Sequence, residues 1–276
     1  MKTIALSICL ALAAFAQAQV PELGCSAPRL ITIGLDTHCE IRESSLWLTG
    51  ETLTVRIAGS GGITVLPWDE PGVQIRAQVL AGAQTTWLAE ALAAQVEIDT
   101  ATGAVLVRGP RTDNWNTWSV NVQLRVPRTA GLALETINGN ITVQDVKEAI
   151  SASTINGGVT LARVSGSLTV RVTNGVVRAE VDRWCSQTVD VRGVNGGIEL
   201  DLPHEASARV ALSVMVGVLS TDFAGTNQTV AGVGKRSAFD LGGGGPPISA
   251  ELVTGYIRLR QAAAQTSIAS GDQEAR

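Results

Sequence analysis

The sequence predicts an all-β protein: a β-solenoid or β-helix-like stack of short strands, with an N-terminal β region and one short amphipathic helix. The main support is the dipeptide Asn-Gly, which recurs at Asn138, Asn156, Asn174 and Asn195, at intervals of 18, 18 and 21 residues. A polar–apolar alternation typical of a strand follows each copy. The composition agrees, because 29 glycines and 4% aromatic residues suit many turns between short strands.

The Asn-Gly bend is compatible with two arrangements of the strands. In a meander, each dipeptide is a tight hairpin turn and neighbouring strands run antiparallel. In a solenoid, each dipeptide is a corner and successive coils stack in parallel around a narrow apolar core. Both arrangements use the tolerance of Asn and Gly for positive φ. Recurrence at one spacing favours the solenoid and leaves the meander open.

The repeat continues beyond the four complete copies. Val216-Gly217 and Thr254-Gly255 keep the glycine and the alternation but lack the asparagine, and Gly234 is a candidate middle corner between them. Upstream, Gly103 fits the pattern loosely. Because the last two copies lack asparagine, we expect the glycine and the apolar alternation to be what the fold requires. The predicted structural corners are Asn138, Gly139, Asn156, Gly157, Asn174, Gly175, Asn195, Gly196, Gly217 and Gly255.

The chain divides into four predicted segments: a signal peptide at 1–18, an N-terminal β region at 19–130, the repeat stack at 131–260 and a disordered polar tail at 261–276. Residues 19–45 are expected to be irregular. A helix is predicted at about 84–95, with Thr85 or Thr86 as N-cap. Strands are predicted at about 52–58, 63–66, 73–79, 95–99, 105–108 and 119–126, the second and third as a hairpin-like pair.

The N-terminus carries the features of a secretory signal peptide. Lys2, an apolar run and the small-residue site Ala16-Gln17-Ala18 predict cleavage after Ala18. The apolar run is shorter than the roughly 20 residues that span a bilayer. A lipoprotein with its lipid on Cys25 is the alternative. We therefore expect an exported protein, periplasmic, secreted or surface-associated, with no transmembrane segment in the mature chain.

Cleavage would leave three cysteines and a mildly acidic chain. In an oxidising compartment we expect a disulfide between Cys25 and Cys39, which closes a short loop. Cys185 is predicted to be a buried small hydrophobic residue. Loss of Lys2 changes the formal charge of −4 by one unit, to about −5. An acidic chain without basic runs argues against a nucleic-acid partner.

Several motifs resemble those of one bacterial family. They include Cys39-Glu40-Ile41-Arg42-Glu43, Pro67-Trp68-Asp69, Asp182-Arg183-Trp184 and, most specifically, 241–248 with Val253-Thr254-Gly255-Tyr256-Ile257. Together with the Asn-Gly repeats they resemble the DUF4097 family, which carries an adhesin label. The resemblance covers about residues 37–260 and implies an exported, solenoid-like protein with an N-terminal β region. The family has no assigned catalytic residues, so the resemblance implies none in this chain.

The sequence offers little chemistry. His38 and His204 lack metal-ligand spacing, and no nucleophile elbow or phosphate loop is present. The glycines at 242–245 are expected to form a flexible bend. Stacked coils can bring acids together, but we expect a solvated face, no catalytic residues, no metal and no cofactor. The carboxylates considered are Asp69, Glu70, Asp182, Asp190, Glu199 and Asp201.

The predicted function is a non-enzymatic interaction module of the cell envelope or surface, whose partner is a protein or a glycan. The first alternative is a carbohydrate-binding or carbohydrate-active protein in which Trp115, Trp118 and several carboxylates converge in an exposed groove. We expect instead that at least one of these tryptophans caps the core. The second alternative is an envelope stress or signalling component, which rests on family analogy.

Overall fold

The computed structural model describes residues 22–25, 34–48, 52–100, 103–184, 187–223, 227–229 and 234–262. The predicted signal peptide, Cys185 and the predicted tail after residue 262 lie outside these ranges. Within them the protein is all-β with one helix, as the sequence predicts. No helix in the described ranges is long and apolar enough to cross a membrane.

The N-terminal half contains seven strands and the helix α1, Thr86–Ala93. The helix begins where predicted, because the Thr85 hydroxyl accepts the backbone N–H of Leu88 at 3.3 Å. Apolar residues at alternate positions of β2, β6 and β7 face the core. The strands are β1 Asp36–Trp47, β2 Thr52–Ser60, β3 Ile63–Trp68, β4 Gly72–Ala83, β5 Glu97–Asp99, β6 Ala104–Arg108 and β7 Thr117–Pro127.

The C-terminal half contains the remaining described strands, and the Asn-Gly dipeptides lie inside them or at their ends. Where the strand continues through the dipeptide, one long strand bends at the glycine. The strands are β8 Gly131–Asn138, β9 Ile141–Gln144, β10 Ile150–Asn156, β11 Val159–Val164, β12 Leu168–Val181, β13 Val189–Leu202, β14 Ala208–Thr221, β15 Asn227–Thr229, β16 Lys235–Leu241 and β17 Pro247–Gln261.

Parallel pairing joins β2, β3, β8 to β14 and β17 into two rows that share one apolar core. We call a coil the run of chain that contributes one strand to the first row, then a glycine corner, then one strand to the second row. The pairing within the stack is parallel, so the meander is wrong for these coils. In stack order the coils are coil 1 (β2 and β3), coil 2 (β8 and β9), coil 3 (β10 and β11), coil 4 (β12), coil 5 (β13), coil 6 (β17) and coil 7 (β14).

The order of the coils departs from chain order at the C-terminal end. Strand β17 pairs with both β13 and β14, so Gly255 lies between Gly196 and Gly217. After β14 the chain returns through β16, which pairs antiparallel with Ala208–Val214. Gly234 precedes β16 and is not a corner. The prediction that Gly234 lies midway in the repeat is therefore wrong.

The N-terminal region also contributes to the stack. Residues 52–68 form coil 1, with Gly61 at the corner position. The predicted hairpin of β3 and β4 is wrong, because β7 lies between them, parallel to β3 and antiparallel to β4. Gly103 immediately precedes β6, in which Val105 aligns with Val55. Gly103 is therefore not at a corner either.

Strand β1 corrects the expectation of an irregular segment before residue 46. It pairs antiparallel with β4 along its whole length. Its largely polar sequence has weak alternation, so its strand character depends on the long-range partner. Cys39 lies in β1 and is disulfide-bonded to Cys25, with the two Cα atoms 5.7 Å apart. Residues 22–25 are thereby attached to this sheet.

Candidate functional site

The four asparagines of the repeat are joined along the stack by side-chain hydrogen bonds, and we call this feature the asparagine ladder. Asn156 donates to Asn138 at 2.7 Å, Asn174 donates to Asn156 at 2.9 Å, and Asn195 donates to Asn174 at 2.9 Å, each from Nδ2 to Oδ1. None of the four has a positive φ. The conformational reason that the sequence suggested for asparagine is therefore wrong, and its role is hydrogen bonding between coils.

Next to the ladder, the corner glycines of successive coils form a column in which the backbone of each glycine lies very close to that of the next. At Gly157, φ is +156°, and an added Cβ would lie 2.0 Å from the carbonyl oxygen of Gly139. Glycine is required because no side chain fits between successive corners. Gly61 escaped prediction because serine, not asparagine, precedes it. In stack order the column is Gly61, Gly139, Gly157, Gly175, Gly196, Gly255 and Gly217.

Two buried threonines donate hydrogen bonds to the corner glycines of coils 1 and 2. The Thr136 hydroxyl donates to the carbonyl oxygen of Gly61 at 2.7 Å, and the Thr154 hydroxyl donates to that of Gly139 at 3.0 Å. These bonds satisfy polar groups inside the core. Sequence reasoning missed these two threonines, although each stands two residues before the asparagine in one of the first two copies.

The position between these threonines and the asparagines faces outward and is mostly apolar, and we call it the apolar column. Its members are aligned one per coil by the parallel register. Ile155 is 47% exposed and Met215 is 53% exposed. At about 4.8 Å between neighbouring strands, six coils give a column of roughly 24 Å between its ends. From coil 2 to coil 7 the members are Ile137, Ile155, Thr173, Val194, Val253 and Met215.

The asparagine ladder predicts a measurable loss of stability when one member is removed. Asn156→Ala deletes one donated and one accepted hydrogen bond, and we expect the free energy of unfolding to fall by about 1–2 kcal/mol. Urea denaturation followed by circular dichroism measures this change. Ser151→Ala, at an exposed position of the same strand, is the control and should change stability by less than about 0.5 kcal/mol. Equal effects would contradict the role of the ladder.

The second row carries a polar network around Glu199 and Tyr256. The Tyr256 hydroxyl donates to Glu199 Oε1 at 2.8 Å, and its ring lies over Gly197, where an added Cβ would be 2.4 Å from the ring. Arg260 donates to both carboxylate oxygens of Asp201, at 2.6 and 3.0 Å. Each acid in this network therefore has a donor of its own.

The network also sets the protonation of its members. Burial raises the pKa of Glu199, but the Tyr256 hydroxyl and the charges of Arg178, Arg260 and Arg258 outweigh burial, so the pKa lies below its ordinary value. The hydrogen bond to Glu199 in turn raises the pKa of Tyr256. Glu199 is therefore an anion at neutral pH, and it contributes stability in that form.

Removal of the Tyr256 hydroxyl should change how the stability of the protein depends on pH in the acidic range. The folded pKa of Glu199 is lowered, so its contribution is complete above its ordinary pKa and is lost as the pH falls through the lowered value. Tyr256→Phe should raise the pKa of Glu199 and move this loss to higher pH. NMR titration of the Glu199 carboxyl measures the shift, with Thr160→Ala as a control on the same row. An unchanged pKa in Tyr256→Phe would contradict the assignment.

An open cavity of about 830 Å³ lies at the far end of the second row. Asp182 and Asp201 both line it, so the stack does bring two of the considered carboxylates together. His204 also lines it. The other acids are elsewhere: Asp190 is 3.2 Å from Arg192 in the first row, and Asp69 is 3.6 Å from Arg128. Glu70 is exposed in the turn before β4.

The two tryptophans considered for sugar stacking have different environments. Trp118 is 4% exposed, and its indole N–H donates to the Pro110 carbonyl at 2.8 Å. Trp115 is 59% exposed and lies in a turn that Asp113 stabilises. The Asp113 carboxylate accepts a hydrogen bond from the backbone N–H of Trp115 at 2.8 Å. This bond, followed by that from Asn116, lowers the pKa of Asp113. Neither tryptophan lines the cavity that Asp182 and Asp201 line, so these residues do not form the groove expected for the carbohydrate alternative.

His38 is the other histidine considered, and it lies apart from His204. Its Nε2 is 3.7 Å from Glu40 and its Nδ1 is 4.0 Å from Glu90. In the described ranges, no group of three or more His, Cys, Asp or Glu side chains is arranged to hold a metal ion. The two histidines are therefore not brought into a shared site.

The fold and these surfaces define an all-β repeat protein with regular outward-facing columns. Solved structures similar to this chain include a "putative cell adhesion protein" from Clostridium sporogenes (11% identity; 81% of this chain and 100% of that chain; TM-score 0.44). Others are a "putative lipid binding protein" from Parabacteroides distasonis (11%; 80% and 96%; 0.36) and a "putative adhesin" from Bacteroides fragilis (8%; 80% and 97%; 0.32). No family model and no curated protein matches the chain. Membership of the DUF4097 family therefore stays a prediction.

Proposed function

We propose that this protein is an exported, non-enzymatic interaction module, built as a short β-solenoid, that binds a protein partner through the apolar column. The observation that supports this most is the column itself. On the solvent side of a strand, alternation normally places polar residues. Here Ile137, Ile155, Val194, Val253 and Met215 occupy one outward position in coils 2, 3, 5, 6 and 7, and Thr173 occupies it in coil 4. Exposed apolar surface of this kind marks interaction sites.

The neighbouring asparagine ladder supports binding to a protein. It places a row of amide groups beside the apolar column, and apolar surface bordered by polar groups is typical of protein interfaces. Inter-coil backbone hydrogen bonds and the ladder hold both columns in place before any partner arrives. A pre-organised surface loses little conformational entropy on binding.

Two observations support binding over catalysis. A general acid of the glycosidase type needs a raised pKa, whereas the pKa of Glu199 is lowered. Asp201 is held by two hydrogen bonds from Arg260. These carboxylates therefore serve as ion-pair partners in the second row. The export of the protein is proposed from residues 1–18 of the sequence.

Site-specific photo-cross-linking tests this proposal. A photoreactive amino acid replaces Ile155 in the apolar column or, as the matched control, Thr160 on the outer face of the second row of the same coil. In cells that produce the protein, we expect a cross-linked protein species from position 155 and none from position 160. Val194→Glu should abolish the species while leaving the circular dichroism spectrum unchanged. Equal cross-linking at both positions, or none, would rule the proposal out.

A carbohydrate-binding role is the second candidate, and the exposed ring of Trp115 is the observation that favours it. Aromatic faces stack on sugars, and this ring lies on a turn fixed by Asp113. Binding on a glycan array that disappears in Trp115→Ala and persists in Val194→Glu would favour this function over the first.

A further inference from the structure

The two ends of the coil stack differ in how they are covered. At coil 1, β6 covers the first row and β7 covers the second, followed by β4 and β1. At coil 7, β16 covers Ala208–Val214 in the first row. For residues 216–221 in the second row, β17 is the pairing partner on one side, and no described strand pairs on the other. Among the described residues, the part of β14 that lies in the second row has no strand on its outer side, and we call it the open edge.

The core is open at the same place. Ile198 and Ile257 are fully buried at one position of the second row in coils 5 and 6. Leu219 occupies this position in coil 7 and is half-buried. A repeat stack needs its end covered, because the outer face of the last repeat otherwise exposes apolar side chains and unpaired backbone groups.

The open edge lacks the features that normally prevent pairing. From Val216 to Thr221 the sequence has no charge and no proline. Val216 is 60% exposed and Val218 is 57% exposed. By contrast, the outer strand β1 carries Glu40, Arg42 and Glu43, and charges of this kind discourage edge-to-edge pairing.

We propose that the open edge of coil 7 pairs antiparallel with the same edge of a second copy of this chain, in a two-fold dimer centred on Leu219. Strand β14 already accepts an antiparallel neighbour, β16, along its first half. A second copy continues that geometry along the other half. Because the edge is neutral, two copies meet without like-charge repulsion.

The two-fold register matches the faces of the strand. Antiparallel partners directly opposite each other share a face. With the axis at Leu219, this inward side chain meets its own copy and extends the core across the dimer. The outward Val218 then lies opposite Ser220 of the copy. In a two-fold contact the open edge of each chain is paired with that of the other. No open edge is then left for a third chain, so association stops at the dimer.

Sedimentation velocity of the chain without residues 1–18 tests this proposal. We expect the wild-type chain to dimerise at micromolar concentrations. In Val218→Lys the dissociation constant of the dimer should be at least about tenfold higher. Ser220→Lys, a second outward substitution, should act in the same way. Val176→Lys is the matched control, because it changes the same outward position in interior coil 4. It should leave the dimer unchanged.

Hydrogen exchange locates the contact independently of these variants. Amides within residues 216–221 should become more protected as protein concentration rises, and those of coil 4 should not. A wild-type chain that stays monomeric, a dimer insensitive to both lysine variants, or equal loss in Val176→Lys would overturn the proposal. Since the edge and the apolar column are different surfaces, this result is separate from the photo-cross-linking result.

Discussion

Gly175→Ala is expected to lower the free energy of unfolding by about 3–5 kcal/mol. Gly175 is the corner of interior coil 4, where φ is +158° and an added Cβ would lie 1.9 Å from the carbonyl oxygen of Gly157. The clash is with backbone, which side-chain rotation cannot relieve. The corner can accept a methyl group only if the two coils separate and lose the hydrogen bonds between them.

The matched control for this substitution is Gly243→Ala. Its added Cβ would meet only the Ser207 hydroxyl oxygen, at 3.9 Å. We expect a change in the free energy of unfolding below about 0.5 kcal/mol. Urea denaturation of both variants gives the comparison. Similar stabilities for Gly175→Ala and the wild type would mean that the corners are wider apart than the structure has them.

Trp118→Ala is expected to destabilise the protein by about 3–5 kcal/mol. The ring is buried against two glycines: a Cβ added at Gly59 would be 2.7 Å from it, and one at Gly109 would be 2.5 Å. Truncation leaves a cavity and removes the hydrogen bond to Pro110. Because the two glycine backbones already contact the ring, the neighbouring strands cannot collapse into the space without moving.

Trp115→Ala provides the contrast, because this ring is mostly exposed. We expect its effect on the free energy of unfolding to stay below about 0.5 kcal/mol. Thermal and urea denaturation of the two variants distinguish the roles. Comparable destabilisation by both would show that Trp115 also packs in the core, and would remove the observation that favours carbohydrate binding.

The repeat period predicted recurring short strands, and the parallel register aligns the four Asn-Gly copies with one another. The order of the coils was not predictable in the same way. The interval of 38 residues from Gly217 to Gly255 contains an antiparallel return through β16, so that β17 lies between β13 and β14. Pairing of this kind is decided between strands distant in sequence, and local patterns do not encode it.

The candidate site was visible only in part. The apolar residues that precede the corners of coils 2, 3, 5, 6 and 7 are present in the sequence, but their exposure follows from the register, which aligns them along the stack. The sequence pattern suggested that asparagine is present because it tolerates turn conformations. That explanation made no use of the hydrogen bonds of the asparagine side chain. The side-chain hydrogen bonds that join Asn138, Asn156 and Asn174 form only when the coils stack at one spacing.

Engineered disulfides test the stack most directly. They are placed in the apolar column of a chain that starts at Gln19 and carries Cys185→Ser. Val194→Cys with Val253→Cys joins neighbouring coils, about 4.8 Å apart and within the reach of a disulfide. Val194→Cys with Met215→Cys joins coils that are consecutive in sequence but roughly 10 Å apart in the stack. We predict by peptide mass spectrometry that the first pair forms under mild oxidation and the second does not. Formation of the second pair alone would contradict the stacking order and the apolar column built on it.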